Sequence, residues 1–148
     1  MLAPSLPTLL DYRTHIQSRS IYNTPPVFAI YVLMLVTRWL RDEIGGLTSM
    51  AATNRAKADL IYEALDADPD FYRLHAARPW RSTMNVAFRL PTPAAEDLFL
   101  ATASRDGFHG LDGHRSIGGL RASLYNAITL KATAMLTEWL HEFRRRHG

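Results

Sequence analysis

The stretch GHRSIGGLRASLYNA, residues 113–127, sets a histidine and two arginines, His114, Arg115 and Arg121, around a glycine pair. These side chains suit anions, because a guanidinium forks onto a carboxylate or phosphate through two parallel N–H bonds and an imidazole adds a further donor. Of the 17 cationic residues only Lys57 and Lys131 are lysines, so the chain relies on arginine, the better group for fixed bidentate contacts. From spacing alone, a salt bridge or an exposed strand face accounts for these arginines as well as an anion pocket does, since an unpaired buried charge is costly. Arg115 and Arg121 are six residues apart, about 20 Å along a straight strand. A small dianion spans less. Either the glycines at 118 and 119 bend the chain back, or Arg115 serves a different site, that of a neighbouring subunit.

Asn23-Thr24 stands directly before Pro25-Pro26. From the residues alone the pair reads as a plain helix cap. The chain has no cysteine, which excludes disulfides, thiolate catalysis and cysteine metal sites, and no HExxH or similar spacing points to a metal.

These residues need a scaffold. With 148 residues, 47% of them hydrophobic, the chain can bury one real core, and a formal charge of +3 is too mild to imply a polyanionic partner. The N-terminus lacks the pattern of a signal peptide, so a cytoplasmic setting is expected. The most apolar run, 27–36, has ten residues against the roughly 20 needed to span a bilayer, which argues against a membrane.

Residues 1–24 carry Pro4, Pro7 and no sustained period, and read as an extended arm. The Thr24-Pro25-Pro26 signal starts a helix that runs to about 43 and stops at Gly45-Gly46, apolar on nearly every face. Thr48 caps a second helix to about 65, with Leu60, Ile61, Ala64 and Leu65 on its apolar stripe and Arg55, Lys57, Asp59 and Glu63 facing water. Residues 71–77 and 82–90 read as strands between prolines. Thr92-Pro93 starts a third helix, to about Arg105, ended by Gly107. Strand character returns at 108–111 and 120–124. Thr129 caps a last helix with Ala132, Leu136, Trp139, Leu140 and Phe143 on one face and Arg144, Arg145 and Arg146 in its final turn. The order predicts an α+β, two-layer fold, a small and mainly antiparallel sheet packed with helices.

GHRSIGGLRASLYNA resembles the C-terminal signature of the phosphoserine aminotransferases, class-V pyridoxal-phosphate enzymes of fold type I. SIYNTPPVFAIY at 20–31, RSTMNVAF at 81–88 and FRRRHG at 143–148 match in the same order, so the similarity covers nearly the whole chain. The resemblance implies an extended arm at 1–24, an interdomain helix at 25–46 and a C-terminal small domain at 47–148. It assigns Arg121 to the substrate α-carboxylate, and His114 and Arg115 to the phosphate or second carboxylate. Asn23 and Thr24 would reach the cofactor phosphate across a homodimer interface. The family reaction moves an amino group from glutamate to 3-phosphohydroxypyruvate, giving 2-oxoglutarate and phosphoserine in serine biosynthesis; phosphohydroxythreonine is the related substrate.

That chemistry needs a lysine to attach pyridoxal phosphate and shuttle a proton. Lys57, on a polar helix face, and Lys131, in a first helical turn, are both expected to be solvated. The family lysine belongs to a large domain that would precede residue 1. The expectation is a C-terminal portion that does not bind the cofactor covalently and is inactive alone. The alternative is a non-catalytic, self-associating structural module driven by the 27–36 helix. A nucleic-acid partner is not expected, because the helix dipole accounts for the terminal arginines.

Overall fold

The computed structural model describes residues 6–148 and divides the chain into two units, Met1–Ile44 and Gly45–Gly148. Among its described residues, the first unit is not an extended arm followed by a helix. It holds a 3-10 turn at Thr8–Leu10 and a short helix α1 at Tyr12–Gln17 before the long helix α2 at Val27–Asp42. Local chemistry explains α1: the Asp11 carboxylate accepts the Arg13 backbone N–H at 3.0 Å, a side-chain cap that the proline-led reading of this segment overlooked. Arg19 and Ser20, both with positive φ, then turn the chain.

Helix α2 starts two residues later than the double proline suggested. Pro26 is its N-cap and no side chain caps it, so Thr24 lies outside the helix. No residue of α2 is buried in this chain; Phe28 is 79% exposed and Leu33 63%.

In the second unit, α3 spans Leu47–Asp66 and takes Gly46 rather than Thr48 as its N-cap. Its inner face is Met50, Asn54, Lys57, Ala58, Ile61, Ala64 and Leu65, while Leu60 is only partly covered. Lys57 thus lies on the buried side, not among the solvated residues.

Four strands follow: β1 Arg73–Leu74, β2 Asn85–Arg89, β3 Asp112–His114 and β4 Gly118–Ser123. All pairings are antiparallel and the sheet order is β1-β2-β4-β3. The strand expected over 71–77 shrinks to two residues because Phe71 and Tyr72 enter the core and a 3-10 turn takes Arg78–Trp80. The third strand begins at Asp112 rather than Phe108. The Phe108 ring instead packs on Trp139, their centroids 5.6 Å apart.

Helices α4 (Pro93–Arg105) and α5 (Leu130–His147) form where their caps are written. Thr92 Oγ1 accepts Ala95 N–H at 3.2 Å, and Thr129 Oγ1 accepts Ala132 N–H at 3.1 Å. The inner face of α5 is Thr133, Leu136, Leu140 and Phe143, with Trp139 partly buried and Ala132 exposed. One core joins these helices to a single face of the sheet. Val86 and Phe88 of β2 and Leu120 and Ala122 of β4 are buried, and alternate with residues facing away from that core. The fold is α+β.

Candidate functional site

The residues 113–127 stretch is built on a tight hairpin. β3 ends at His114, paired with Gly118, and Arg115, Ser116 and Ile117 make the turn, closed by Ile117 N–H donating to His114 O at 2.9 Å. Gly118 and Gly119 follow with φ of 64° and 72°, values that a side chain at Cβ disfavours. The chain thus bends back at residues 115–117, directly before the glycine pair that opens β4. Of the interval between Arg115 and Arg121, only residues 118–121 run along a strand, about 10 Å.

Arg121 sits mid-strand in β4, opposite Ala87, and its backbone N–H donates to Leu111 O at 2.8 Å. Its neighbours Leu120 and Ala122 point into the core, so its own side chain emerges on the opposite face of the sheet. Arg121 Nε is buried and has no hydrogen-bond partner, a donor left over on a partly covered guanidinium. Neither Arg115 nor Arg121 forms an ion pair among the described residues, which removes the salt-bridge explanation for both.

At the hairpin tip, His114 is oriented by Ser116. Ser116 N–H donates to His114 Nδ1 at 3.2 Å, and the Ser116 hydroxyl lies 2.6 Å from the same nitrogen. An Nδ1 that accepts leaves Nε2 to carry the proton, so the imidazole presents an outward donor. Arg89 supports the tip from β2: its guanidinium donates to Ile117 O and lies 3.7 Å from the Glu96 carboxylate. Gly119, opposite Arg89 in the register that pairs Phe88 with Leu120, leaves room for that crossing; a Cβ there would meet Arg89 Cγ at 3.0 Å. Sequence reasoning missed Ser116 and Arg89. Ser116 was within reach, two residues from His114, whereas Arg89 is 28 residues from Ile117 and only the sheet register joins them.

Asn23 and Thr24 are exposed in the connection before α2, and neither side chain makes a hydrogen bond among the described residues. Thr24 is not the helix cap, so the structural explanation for this pair also falls away. They belong to the first unit, while His114, Arg115 and Arg121 belong to the second.

The two lysines lie in opposite settings. Lys57 is fully buried, with Nζ donating to Leu124 O, Tyr125 O and Ile128 O at 2.9, 3.0 and 3.0 Å. Desolvation pushes its ammonium below the usual lysine range. Lys131 is exposed in the first turn of α5. The terminal arginines are engaged: Arg144 pairs with Asp68 and lies 4.9 Å above the Phe71 ring, and Arg145 and Arg146 pair with Glu142. No group of acidic, histidine or cysteine side chains among the described residues could hold a metal ion.

The family described as Aminotransferase class-V matches residues 6–134. The chain belongs to the class-V aminotransferase family. Phosphoserine aminotransferase of Geobacillus kaustophilus is 52% identical over 141 residues, and that of Shouchella clausii is 50% identical over 143. The matches cover 95% and 97% of this chain but 39% of each relative, so the chain spans about two fifths of the length of these class-V enzymes. The solved phosphoserine aminotransferase from Bacillus circulans superposes with a TM-score of 0.88 at 44% identity, over 97% of this chain and 39% of that one. A pyridoxal-phosphate-bound phosphoserine aminotransferase from Trichomonas vaginalis gives 0.80 at 36% identity, over 95% of this chain and 40% of that one. Pyridoxal phosphate is the family's cofactor. The side chains of Asn23 and Thr24 make no hydrogen bond among the described residues, and the Lys57 amine is enclosed.

Proposed function

We propose that this chain supplies the substrate-anion half of a phosphoserine aminotransferase pocket. Arg121 holds the α-carboxylate of glutamate or phosphoserine, and His114 and Arg115 take the phosphate or the second carboxylate. Asn23 and Thr24 contact the cofactor phosphate at the interface of a homodimer. Residues 25–46 act as the interdomain helix and 47–148 as the small domain. The parent reaction, glutamate plus 3-phosphohydroxypyruvate to 2-oxoglutarate plus phosphoserine, needs an amine that neither Lys57 nor Lys131 presents, and the chain is inactive by itself. When bound, pyridoxal phosphate supplies the electron sink for amino transfer. This chain contributes binding, orientation and charge neutralisation.

The observation that carries this reading is the unpartnered, buried Nε of Arg121 on the sheet face opposite the core, at the foot of the hairpin that displays His114 and Arg115. A carboxylate would satisfy that donor with a second, parallel bond from the same fork. Arginine side-chain NMR of the chain, titrated with phosphoserine and then with inorganic phosphate, tests it. The Arg121 Nε–H signal is expected to move with phosphoserine and to stay with phosphate, while His114 responds to both. An Arg121 signal indifferent to every amino acid tried would refute the clamp. Borohydride trapping of pyridoxal phosphate on Lys57 or Lys131 would refute the inactivity.

A second reading draws on α2 alone: Val27, Phe28, Ile30 and Leu33 are all more than half exposed, as suits a self-associating module. Both readings have the chain associate, so the phosphoserine titration separates them: a module that is only structural would ignore phosphoserine.

A further inference from the structure

The ammonium of Lys57 is held in an unusual way. It is wholly buried, yet no carboxylate contacts it among the described residues; its three hydrogen bonds all go to backbone carbonyls, those of Leu124, Tyr125 and Ile128. An ammonium has three donors, and here each has its own acceptor. The carbonyls come from the six-residue segment that joins β4 to α5, residues 124–129, none of them engaged in the sheet ladder or in the helix. Leu124 lies in the core, and without Lys57 its carbonyl would carry the penalty of a buried, unsatisfied acceptor; Tyr125 O also accepts the Ile128 N–H at 2.9 Å. One turn earlier on the same face of α3, Asn54 Nδ2 donates to Asn126 Oδ1 at 2.9 Å, so α3 grips this segment at two points.

The geometry points to a monovalent-cation site. We propose that Leu124 O, Tyr125 O and Ile128 O form a carbonyl cage for a singly charged ion, and that Lys57 is the ion the chain carries for itself. Oxygens at 2.9–3.0 Å lie well outside the roughly 2.0–2.6 Å that Mg²⁺ and Ca²⁺ demand, and the cage offers no carboxylate to balance a double charge. It matches an ammonium. Lys57 is then a positioning residue: it fixes the segment that begins three residues beyond Arg121 and ends at Thr129, the cap of α5. The wholly local alternative, a lysine buried for packing alone, would leave its amine neutral and replaceable by an apolar chain.

Two measurements on the intact chain decide between them. In the unmodified protein, nitrogen NMR should show a slowly exchanging Lys57 NH3⁺ with couplings across the hydrogen bonds to the carbonyl carbons of 124, 125 and 128. A neutral amine signal, or no coupling, overturns the proposal. Lys57→Ala empties the cage, and amide exchange over residues 124–130 should rise about tenfold or more while β2 stays protected. Propylammonium should restore that protection, and tetramethylammonium, which has no N–H, should not. Lys57→Met keeps the volume and loses the ion; it should exchange fast and respond to neither salt. Parent-like protection in Lys57→Met, or equal rescue by both salts, would also overturn it.

Discussion

Arg81 and Asp66 meet in a two-pronged pair, Nη1 to Oδ2 and Nη2 to Oδ1, each at 2.7 Å. The guanidinium also lies 4.7 Å from the Tyr62 ring centroid, and its side chain is only 16% exposed. The pair joins the end of α3 to the turn before β2. The Arg81 hydrogen bonds hold the Asp66 carboxyl below its ordinary value of 3.8. A depressed folded-state pKa gives stability that is complete above the unfolded value and is lost as pH falls through the folded one. Asp66→Asn should therefore cost about 2 kcal/mol at neutral pH and show a shallower acid decline below about pH 4 than the parent. Urea melts of both proteins across that range check it.

The hairpin should be intolerant of one methyl group. An added Cβ at Gly113 would come within 2.0 Å of Gly118 O and 2.6 Å of Gly119 O, backbone atoms that cannot move without opening the turn. At Gly107 a Cβ meets nothing within 4 Å, though its φ is +91°. Gly113→Ala should destabilise by more than about 3 kcal/mol and shift the His114 ring signals, while Gly107→Ala costs about 1 kcal/mol from backbone strain. Similar melting temperatures for the two would contradict this.

Phe99 is the hub of the core. Its ring is fully buried and meets Trp139 at 4.9 Å, Phe143 at 5.0 Å and Phe88 at 5.8 Å, all edge to face. Phe99→Ala should cost about 4 kcal/mol, and Phe99→Leu about half that, by denaturant titration.

Tyr72 ties the sheet side to α5 through its hydroxyl, which donates to Leu140 O at 2.7 Å. Burial pushes this phenol far above its ordinary value of 10.0. A raised folded-state pKa gives stability present below the unfolded value and lost as pH rises through the folded one. Tyr72→Phe should cost about 1 kcal/mol at neutral pH and should flatten the alkaline decline that begins near pH 10. Thermal melts at rising pH read both effects.

The Ser116 contacts predict that the neutral His114 imidazole carries its proton on Nε2. Long-range nitrogen–proton NMR should show that tautomer, and Ser116→Ala should raise the share of the other. An Nδ1–H form in the parent would contradict the arrangement.

The parts of this protein that local chemistry governs were legible in its residues. Thr92 and Thr129 cap the helices they precede because a hydroxyl and a free N–H three residues on are all that a cap requires. The hairpin was half legible: the glycine pair announced a bend, but its closure depends on Gly113 meeting Gly118 across the strands. Lys57 was misread for a physical reason. Its spacing from Met50, Asn54, Ile61 and Ala64 put it on the inner stripe of α3, and a lysine among Arg55 and Asp59 reads as solvated unless three carbonyls from residues 124–128 are known to wait for it. The same holds for the sheet face that displays Arg121 and for Arg89 over Ile117. Residue types and short spacings determined the family, the four longer helices and the threonine caps of α4 and α5, but not α1 or the caps of α2 and α3. Which charges end up buried, paired or left with a spare donor was decided by sheet register and by contacts tens of residues apart, whose energies no local window contains.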